Sequence, residues 1–259
     1  MGHRKLLWAG AALAASVGYV LHRAPQGAVR GADAVQRLYD RVAPAYDAAA
    51  WAFRPLGARR LQEQAVDLLD LHPGDTVVDL GCGTGVNLPA LANAVGEHGH
   101  VVGVDLSSGM LVRARRRADR HRLSQVTLHR ADIRGFRLPA GTAAVLATAS
   151  LEMVPEHDAV VRELARQLAP TRGRLAVGGV RRPPTWPAWA VALGRSATAV
   201  FGVTRAYEDI QPWRSVRHHM DEITFETAAG GALYLIVARP RPAPSDDPGD
   251  DAEPTSARP

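Results

Sequence analysis

The stretch Val77-Val78-Asp79-Leu80-Gly81-Cys82-Gly83-Thr84-Gly85 decides the fold that this sequence predicts. Its first half is apolar and β-branched, which indicates a buried strand, and its second half alternates glycine with other residues. Glycine has no Cβ, so such a loop turns tightly and lets a ligand approach the backbone, while the acid at the strand end can accept hydrogen bonds from that ligand. The stretch therefore predicts a nucleotide-type loop at the end of a strand.

The spacing of these glycines excludes two common phosphate-binding loops. A dinucleotide fingerprint needs a glycine three places after its second glycine, and those places hold Val86 and Leu88. No Gly-Lys-Ser/Thr follows, as a P-loop would require. The next predicted strand ends at Asp105, whose carboxylate would lie beside the glycine loop and could bind a ribose diol. A glycine loop with two acids predicts a site for a nucleoside without phosphates.

Outward from this loop, short β-branched runs alternate with longer amphipathic stretches. That alternation is typical of a parallel sheet covered by helices on both faces, and so predicts an α/β fold. Near the end, Glu222–Thr227 and Ala232–Ala238 flank a turn with two glycines, which predicts an antiparallel hairpin. The other predicted strands are Thr76–Leu80, His100–Asp105, Gln125–Arg130, Ala143–Ala149 and Arg174–Val180, and the predicted helices are Asn87–Val95, Ser108–Arg122 and Glu156–Leu168.

Composition sets further bounds. The 259 residues, 46% of them hydrophobic, suffice for one large domain, and the single Cys82 excludes an intrachain disulfide and any multi-cysteine metal site. The net charge is +5, and every basic residue except Lys5 is arginine. A GC-rich genome explains that skew, but arginine also suits phosphates and anionic headgroups because its planar fork binds oxyanions with two hydrogen bonds. Composition alone does not separate these explanations.

The two ends of the chain differ from the centre. Leu6–Leu21 carries no charge, and its 16 residues would span roughly 24 Å as a helix, against about 30 Å of hydrocarbon. We expect a membrane anchor in residues 1–30 rather than a docked amphipathic helix, with the domain on the cytoplasmic side because arginines follow the run. The segment 240–259 is rich in proline and aspartate, which predicts a disordered tail. The domain is expected at 31–239.

The segment from Asp75 to Val180 resembles the core of class I S-adenosylmethionine (SAM)-dependent methyltransferases. The resemblance implies a Rossmann-like seven-stranded sheet, mostly parallel with a C-terminal antiparallel hairpin, and helices on both faces. It also implies S-adenosyl-L-methionine as the cofactor and S-adenosyl-L-homocysteine as the product. The glycine loop would hold the methionine part and Asp105 the ribose hydroxyls. The cofactor-binding residues that the resemblance implies are Asp79, Gly81, Cys82, Gly83, Thr84, Gly85, Asn87, Asp105, Leu106, Met110, Asp132, Ile133, Ala149 and Ser150.

Upstream, Tyr39-Asp40-Arg-Val-Ala-Pro-Ala-Tyr46-Asp47 resembles a motif of the quinone C-methyltransferases and of bacterial phosphatidylethanolamine N-methyltransferases. In those enzymes the segment folds over the cofactor, so the resemblance adds Tyr39 and Tyr46 to the cofactor site. The quinone branch has an asparagine–valine pair after the fourth strand, where this chain has Met153 and Val154. This difference weakens the link to a quinone enzyme in particular.

The insert from Arg181 to Met220 is where the family places its substrate cap. It holds Trp186, Trp189, Phe201, Tyr207 and Trp213 in a chain that is only 5% aromatic, which favours a greasy or planar substrate. An ordinary helical cover on the sheet would use the same residues. Its candidates for a proton-accepting catalytic group are Glu208, His218 and His219, although solvated surface positions explain them equally simply.

Three single features have simpler structural interpretations. Cys82 is expected to be a small buried filler rather than a nucleophile, and Asp132 could serve only as a helix cap. The arginines between Arg113 and Arg122 are typical of a solvated helix face, with contact to anionic lipid as the alternative.

The sequence thus predicts a metal-independent SAM-dependent methyltransferase that acts on a lipophilic small molecule or a lipid. It favours a membrane surface as a further partner over nucleic acid, and it leaves the oligomeric state and the methylated atom open. Two alternatives remain: a membrane-tethered protein that binds the cofactor without turnover, and a nicotinamide oxidoreductase. The missing dinucleotide spacing argues against the oxidoreductase.

Overall fold

A computed structural model of the chain describes residues 31–51, 57–183, 185–187, 189, 191 and 210–242. The expected anchor Leu6–Leu21, the expected tail and most of the aromatic insert lie outside these ranges. Among the helices that are described, none combines the length and the apolar character that crossing a membrane requires.

Seven strands form one sheet in the order β3-β2-β1-β4-β5-β7-β6. Strands β1 to β5 are parallel to one another, and β7 is antiparallel to both β5 and β6. This confirms the predicted α/β class, the mostly parallel sheet and the C-terminal hairpin. The strands are β1 (Thr76–Leu80), β2 (His100–Asp105), β3 (Val126–Arg130), β4 (Thr142–Thr148), β5 (Arg174–Val180), β6 (Met220–Ala228) and β7 (Leu233–Pro240).

Helices cover both faces of the sheet. Successive side chains of a strand point to opposite faces, so Val77 packs into one apolar cluster and Val78 into the other. α2, α3 and α4 cover the Val77 face, and α5 and α6 cover the Val78 face. The helices are α1 (Ala32–Trp51), α2 (Ala58–Leu68), α3 (Leu88–Val95), α4 (Ser108–Arg120), α5 (His157–Leu168) and α6 (Pro212–His219).

The predicted elements differ from the observed ones mainly at their ends. The helix expected to reach Arg122 ends at Arg120, because Arg122 adopts a left-handed conformation with φ 55°. The hairpin strand expected from Glu222 begins at Met220, directly after α6. The glycine-containing turn between β6 and β7 is a short 3₁₀ turn, Ala229–Gly231.

α1 lies outside both main clusters and packs against α4. A third apolar cluster joins Leu38, Val42 and Ala43 of α1 to Met110 of α4. Gly109 lets the helices approach closely, since a Cβ there would lie 3.3 Å from the Cα of Asp40. This contact places α1 beside the carboxyl end of β2.

Candidate active site

A cavity opens at the carboxyl ends of β1, β2 and β4 and is bounded on one side by α1. The chain runs outward from β1 to β3 and then returns to β4 on the other side of β1, and such a switch point is where open α/β sheets bind ligands. Most of the predicted cofactor-binding residues line it: Tyr39, Tyr46, Gly81, Gly83, Asp105, Leu106, Met110, Asp132, Ile133, Ala149 and Ser150.

The glycine loop forms the cavity floor because two of its positions cannot carry ordinary side chains. Gly81 has φ 73°, and a Cβ there would overlap the side chain of Ser150. Gly83 has φ 54°, and the space where its Cβ would stand is empty to 4 Å. The loop is anchored to β2, since the amides of Gly81 and Cys82 both donate to the carbonyl of Val104, at 2.8 and 2.9 Å. A ligand can therefore contact the backbone at Gly83.

Asp105 presents its carboxylate to this cavity. Its Oδ2 accepts a hydrogen bond from the Gly83 amide at 2.8 Å, and its Oδ1 accepts one from the Ser107 amide at 2.8 Å. Burial raises the pKa of Asp105, and these two backbone hydrogen bonds oppose that effect. Each carboxylate oxygen can accept a further hydrogen bond, so the side chain suits a pair of neighbouring hydroxyl groups.

Asp79 does not line the cavity, although the resemblance implies contact with the cofactor. Its carboxylate is fully buried, and neither oxygen has a hydrogen-bond partner among the described residues. Burial raises the pKa of Asp79 to about 7, the nearby Asn87 amide opposes this, and the charge of Asp105 adds to it. The Asn87 Nδ2 donates to Thr148 Oγ1, at 3.0 Å, rather than to Asp79. Asp79 is thus a buried carboxyl group without a partner among the described residues, two residues before Gly81, and its burial disfavours the charged form.

The other loop residues outside the cavity lining support the loop from behind. Cys82 is buried against Gly103, and burial raises the pKa of its thiol, in agreement with the expected structural role. Gly85 packs so close to Leu88 and α4 that a Cβ would not fit. Thr84 and Asn87 are buried and hydrogen-bonded to protein groups.

Several lining residues were not predicted. On α1, Ala32, Val35, Tyr39 and Tyr46 share one helix face, a spacing that would have predicted the first two from the tyrosines. The segment after β4 contributes an apolar wall and one acid. The unpredicted lining residues are Gly31, Ala32, Val35, Arg134, Thr148, Met153, Val154, Pro155 and Glu156.

Asp132 lies in the cavity wall and is paired rather than free. Arg134 Nη2 donates to its Oδ2 at 2.6 Å, and Arg134 Nη1 lies 3.7 Å from Glu156 Oε2. The hydrogen bond from the Arg134 side chain lowers the pKa of Asp132, which stays ionised. The acids that line the cavity are thus Asp105, Asp132 and Glu156.

The structure does not bring the two histidine candidates to this cavity. His218 and His219 end α6, and His219 Nε2 lies 3.0 Å from Asp158 Oδ1 of α5. Glu208 lies outside the described residues, as do Phe201 and Tyr207. The Trp213 ring packs against Tyr234 at 4.8 Å, within the core on the Val78 face. For Trp213, the interpretation as an ordinary cover of the sheet is therefore correct.

A second buried carboxyl group, that of Glu152, was not predicted from the sequence. Glu152 lies in the short 3₁₀ turn after β4, where its Oε1 accepts a hydrogen bond from the Tyr234 hydroxyl at 2.7 Å. Its Oε2 has no partner among the described residues, and burial raises the pKa of Glu152 to about 7. Gly179 makes room for this carboxylate, since a Cβ at that position would overlap it.

Known proteins of similar sequence include methyltransferases. Residues 77–171 match a family described as "Methyltransferase domain". The chain is 36% identical over 165 residues to nocamycin O-methyltransferase of Saccharothrix syringae, an alignment that covers 63% of this chain and 57% of that enzyme. It is 33% identical over 153 residues to the 2-phytyl-1,4-naphtoquinone methyltransferase of Thermosynechococcus vestitus, covering 58% of this chain and 66% of that protein.

Among solved structures, a SAM dependent methyltransferase from Aquifex aeolicus shares the fold with a TM-score of 0.53 and 19% sequence identity. That alignment covers 74% of this chain and 97% of the other. The chain spans between 37% and 66% of the length of these and similar curated relatives.

Proposed function

We propose that this chain, which belongs to the class I SAM-dependent methyltransferases, transfers a methyl group from S-adenosylmethionine to a lipophilic small molecule or lipid. One observation carries the proposal: the glycine loop and the Asp105 carboxylate meet in one cavity at the switch point of the sheet. A glycine loop without phosphate-binding signatures and an acid with free acceptor capacity together suit a nucleoside.

The residues around the cavity fit the cofactor. The open space at Gly83 admits a ligand to the backbone, and Asp105 retains acceptor capacity for two ribose hydroxyls. Leu106 and Met110 offer apolar surface for the faces of an adenine ring, and Asp132 and Ile133 line the same cavity. The resemblance implies that these last two residues meet the adenine amino edge. The carboxylate of Asp79 adds negative charge behind the loop, which favours a cationic ligand whenever that group is ionised.

When bound, the cofactor would supply a methyl group activated by its sulfonium: the acceptor atom would bond to the methyl carbon in line while the bond from sulfur to that carbon breaks and S-adenosylhomocysteine leaves. The protein's part is then mainly alignment, and such positioning can supply about 7 to 11 kcal/mol. Ser150 contributes to this alignment by holding the cavity wall in place. Its Oγ donates to the Leu80 carbonyl at 2.8 Å and so fixes the segment after β4 to the start of the glycine loop. Tyr39 and Tyr46 line the α1 side of the cavity, where their rings would reduce the access of water to a bound ligand.

A lipophilic acceptor is supported by the cavity wall and by the relatives. The segment after β4 presents Met153, Val154 and Pro155, and Val35 faces the cavity from α1. Apolar walls of this kind favour apolar ligands by removing their surface from water. One relative is named for a phytyl-substituted naphthoquinone, which is a lipophilic ring compound.

Cofactor binding tests the first half of the proposal. We expect S-adenosylhomocysteine to bind the purified chain in calorimetry, and Asp105→Asn to weaken that binding by about tenfold, since each charge-assisted hydrogen bond to the ribose contributes about 1.5 to 3 kcal/mol. Asp75→Asn, at an exposed turn before β1, is the matched control and should leave binding unchanged. Absence of a heat signal from the unmodified chain at high micromolar ligand contradicts the enzyme assignment.

Methyl transfer tests the second half. The chain is incubated with methyl-labelled SAM and either a total lipid extract or a polar-metabolite extract. Label that enters the lipid phase supports the proposal, and label that enters only polar metabolites overturns the lipophilic acceptor. Tight binding of the cofactor without transfer into either extract favours binding without turnover.

A further inference from the structure

α1 carries the same dipeptide twice, seven residues apart: Tyr39-Asp40 and Tyr46-Asp47. Seven residues are about two helical turns, so the tyrosines share one helix face and the aspartates share an adjacent one. Both tyrosines line the cavity, with ring centroids 6.1 Å apart. The two aspartates bind α4 and the glycine loop, on which α1 packs.

Asp40 ties α1 to the beginning of α4. Its Oδ1 accepts hydrogen bonds from Ser107 Oγ at 2.6 Å and from the Gly109 amide at 3.0 Å. Burial alone would raise the pKa of Asp40, but these hydrogen bonds outweigh burial and leave the pKa below its usual value. Ser107 is also the N-cap of α4, since its hydroxyl accepts from the Met110 amide.

Asp47 ties the next part of α1 to the glycine loop. Its Oδ1 accepts from Thr84 Oγ1 at 2.6 Å, and its Oδ2 forms an ion pair with Arg117 Nη2 at 2.9 Å. Arg117 also donates to the Thr84 carbonyl at 2.6 Å, so three elements meet at one guanidinium group. The pair is partly shielded, with 44% of the Asp47 side chain and 19% of the Arg117 side chain exposed.

Asp40 and Asp47 both bind residues of the two segments whose amides donate to Asp105. Ser107, which binds Asp40, donates its amide to one oxygen of Asp105, and Gly83, the neighbour of Thr84, donates to the other. A ligand that binds Asp105 and the glycine loop would therefore also restrict the motion of the residues that Asp40 and Asp47 bind. A coupling between two sites acts equally in both directions.

We propose that Asp40 and Asp47 are positioning residues that hold α1 closed over the cofactor end of the cavity, and that closure of α1 and retention of the bound nucleoside are therefore coupled. The inference rests on the proposed function. The apolar contact between α1 and α4 has four buried residues at its centre, and Pro44 removes one backbone hydrogen bond of α1, so the hydrogen bonds and the ion pair of the two aspartates add to what holds the helix in place.

The test measures retention of S-adenosylhomocysteine and needs no methyl acceptor. Labelled ligand is bound and then chased with excess unlabelled ligand. We expect Asp40→Asn and Asp47→Asn each to speed dissociation by about tenfold, and Asp47→Glu to restore part of the difference. Asp33→Asn removes the same charge from an exposed position on the same helix and should dissociate at the unmodified rate. High salt should speed dissociation from the unmodified chain more than from Asp47→Asn.

A second readout reports the position of α1 itself. Arg37 and Arg41 are exposed on α1, and trypsin cleaves there only when the helix opens. Mass spectrometry should show that S-adenosylhomocysteine slows cleavage after these residues in the unmodified chain and slows it much less in the Asp40 and Asp47 variants. A merely stabilising role would change cleavage equally with and without the ligand.

Arg117→Gln is an independent variant, because it removes the ion pair with Asp47 from the α4 side and leaves the sequence of α1 unchanged. If the unmodified chain binds the ligand and the folded Asp40, Asp47 and Arg117 variants all release it at the unmodified rate, the inference is wrong and the proposed function stands. If the unmodified chain fails to bind the ligand, the proposed function fails first.

Discussion

At the scale of single residues, Glu152 confers a pH dependence opposite to that of a carboxylate paired with an arginine, such as Asp132. Burial disfavours the charged form and raises the pKa of Glu152 in the folded protein from its usual 4.5 to about 7. Between these two values the folded chain keeps a proton that the unfolded chain has lost. The contribution of Glu152 to the free energy of unfolding therefore falls as pH rises through this window, and it stays low above it.

Glu152→Gln tests this assignment. Glutamine can still accept the hydrogen bond from Tyr234, but it does not titrate. Urea unfolding at pH 5 and at pH 8 should show that the unmodified chain loses more stability across this range than the variant does, by at most about 3 kcal/mol. Asp79 is raised in the same direction and is present in both proteins, so the difference between them isolates Glu152. Equal losses in the two proteins would show that Glu152 is already ionised in the fold at pH 5.

At the scale of elements, the sequence was most informative where backbone geometry restricts the residue type. The glycine loop and the strand ends were predicted closely, because glycines at φ 73° and 54° and β-branched runs leave few alternatives. Asp105 and Asp132 both line the cavity, because the carboxyl ends of parallel strands meet at one edge, and their contact with a cofactor stays a prediction. Helix and strand ends moved by up to two residues, as the left-handed Arg122 illustrates.

What the sequence did not predict depends on contacts between distant positions. The burial of Glu152 requires Tyr234, 82 positions away, and the absence of a side chain at Gly179, and no local pattern encodes that pair. Trp213 was expected in the substrate cap, but aromatic content does not say which surface a ring covers, and this ring packs on Tyr234. The ties of Asp40 and Asp47 were visible in part, since their seven-residue spacing could have predicted a shared helix face.

At the scale of the whole molecule, one group of exposed arginines lies together on a single helix. The outer face of α4 presents Arg115, Arg116 and Arg120, which have no acidic partner among the described residues, together with Val112, 52% exposed. We propose that this face contacts anionic lipid at the inner side of the cell membrane, alongside the expected anchor Leu6–Leu21. Arginine near such a surface contributes about 1 kcal/mol each. A lipophilic acceptor dissolved in the membrane would then lie close to the enzyme.

Vesicle binding separates the face of α4 from the general positive charge of the chain. The full-length protein should co-sediment with vesicles that contain phosphatidylglycerol more than with pure phosphatidylcholine vesicles. Replacing Arg115, Arg116 and Arg120 by glutamate should reduce this preference at least tenfold, because three charges are reversed within one patch and the net charge falls by about six units. The control replaces the exposed Arg162, Arg214 and Arg239 by glutamate, which changes the net charge equally at positions outside α4. If both triple variants lose the preference to the same degree, net charge rather than α4 determines binding. If neither loses it, the arginines of α4 are a solvated face and any attachment to membranes comes from elsewhere in the chain.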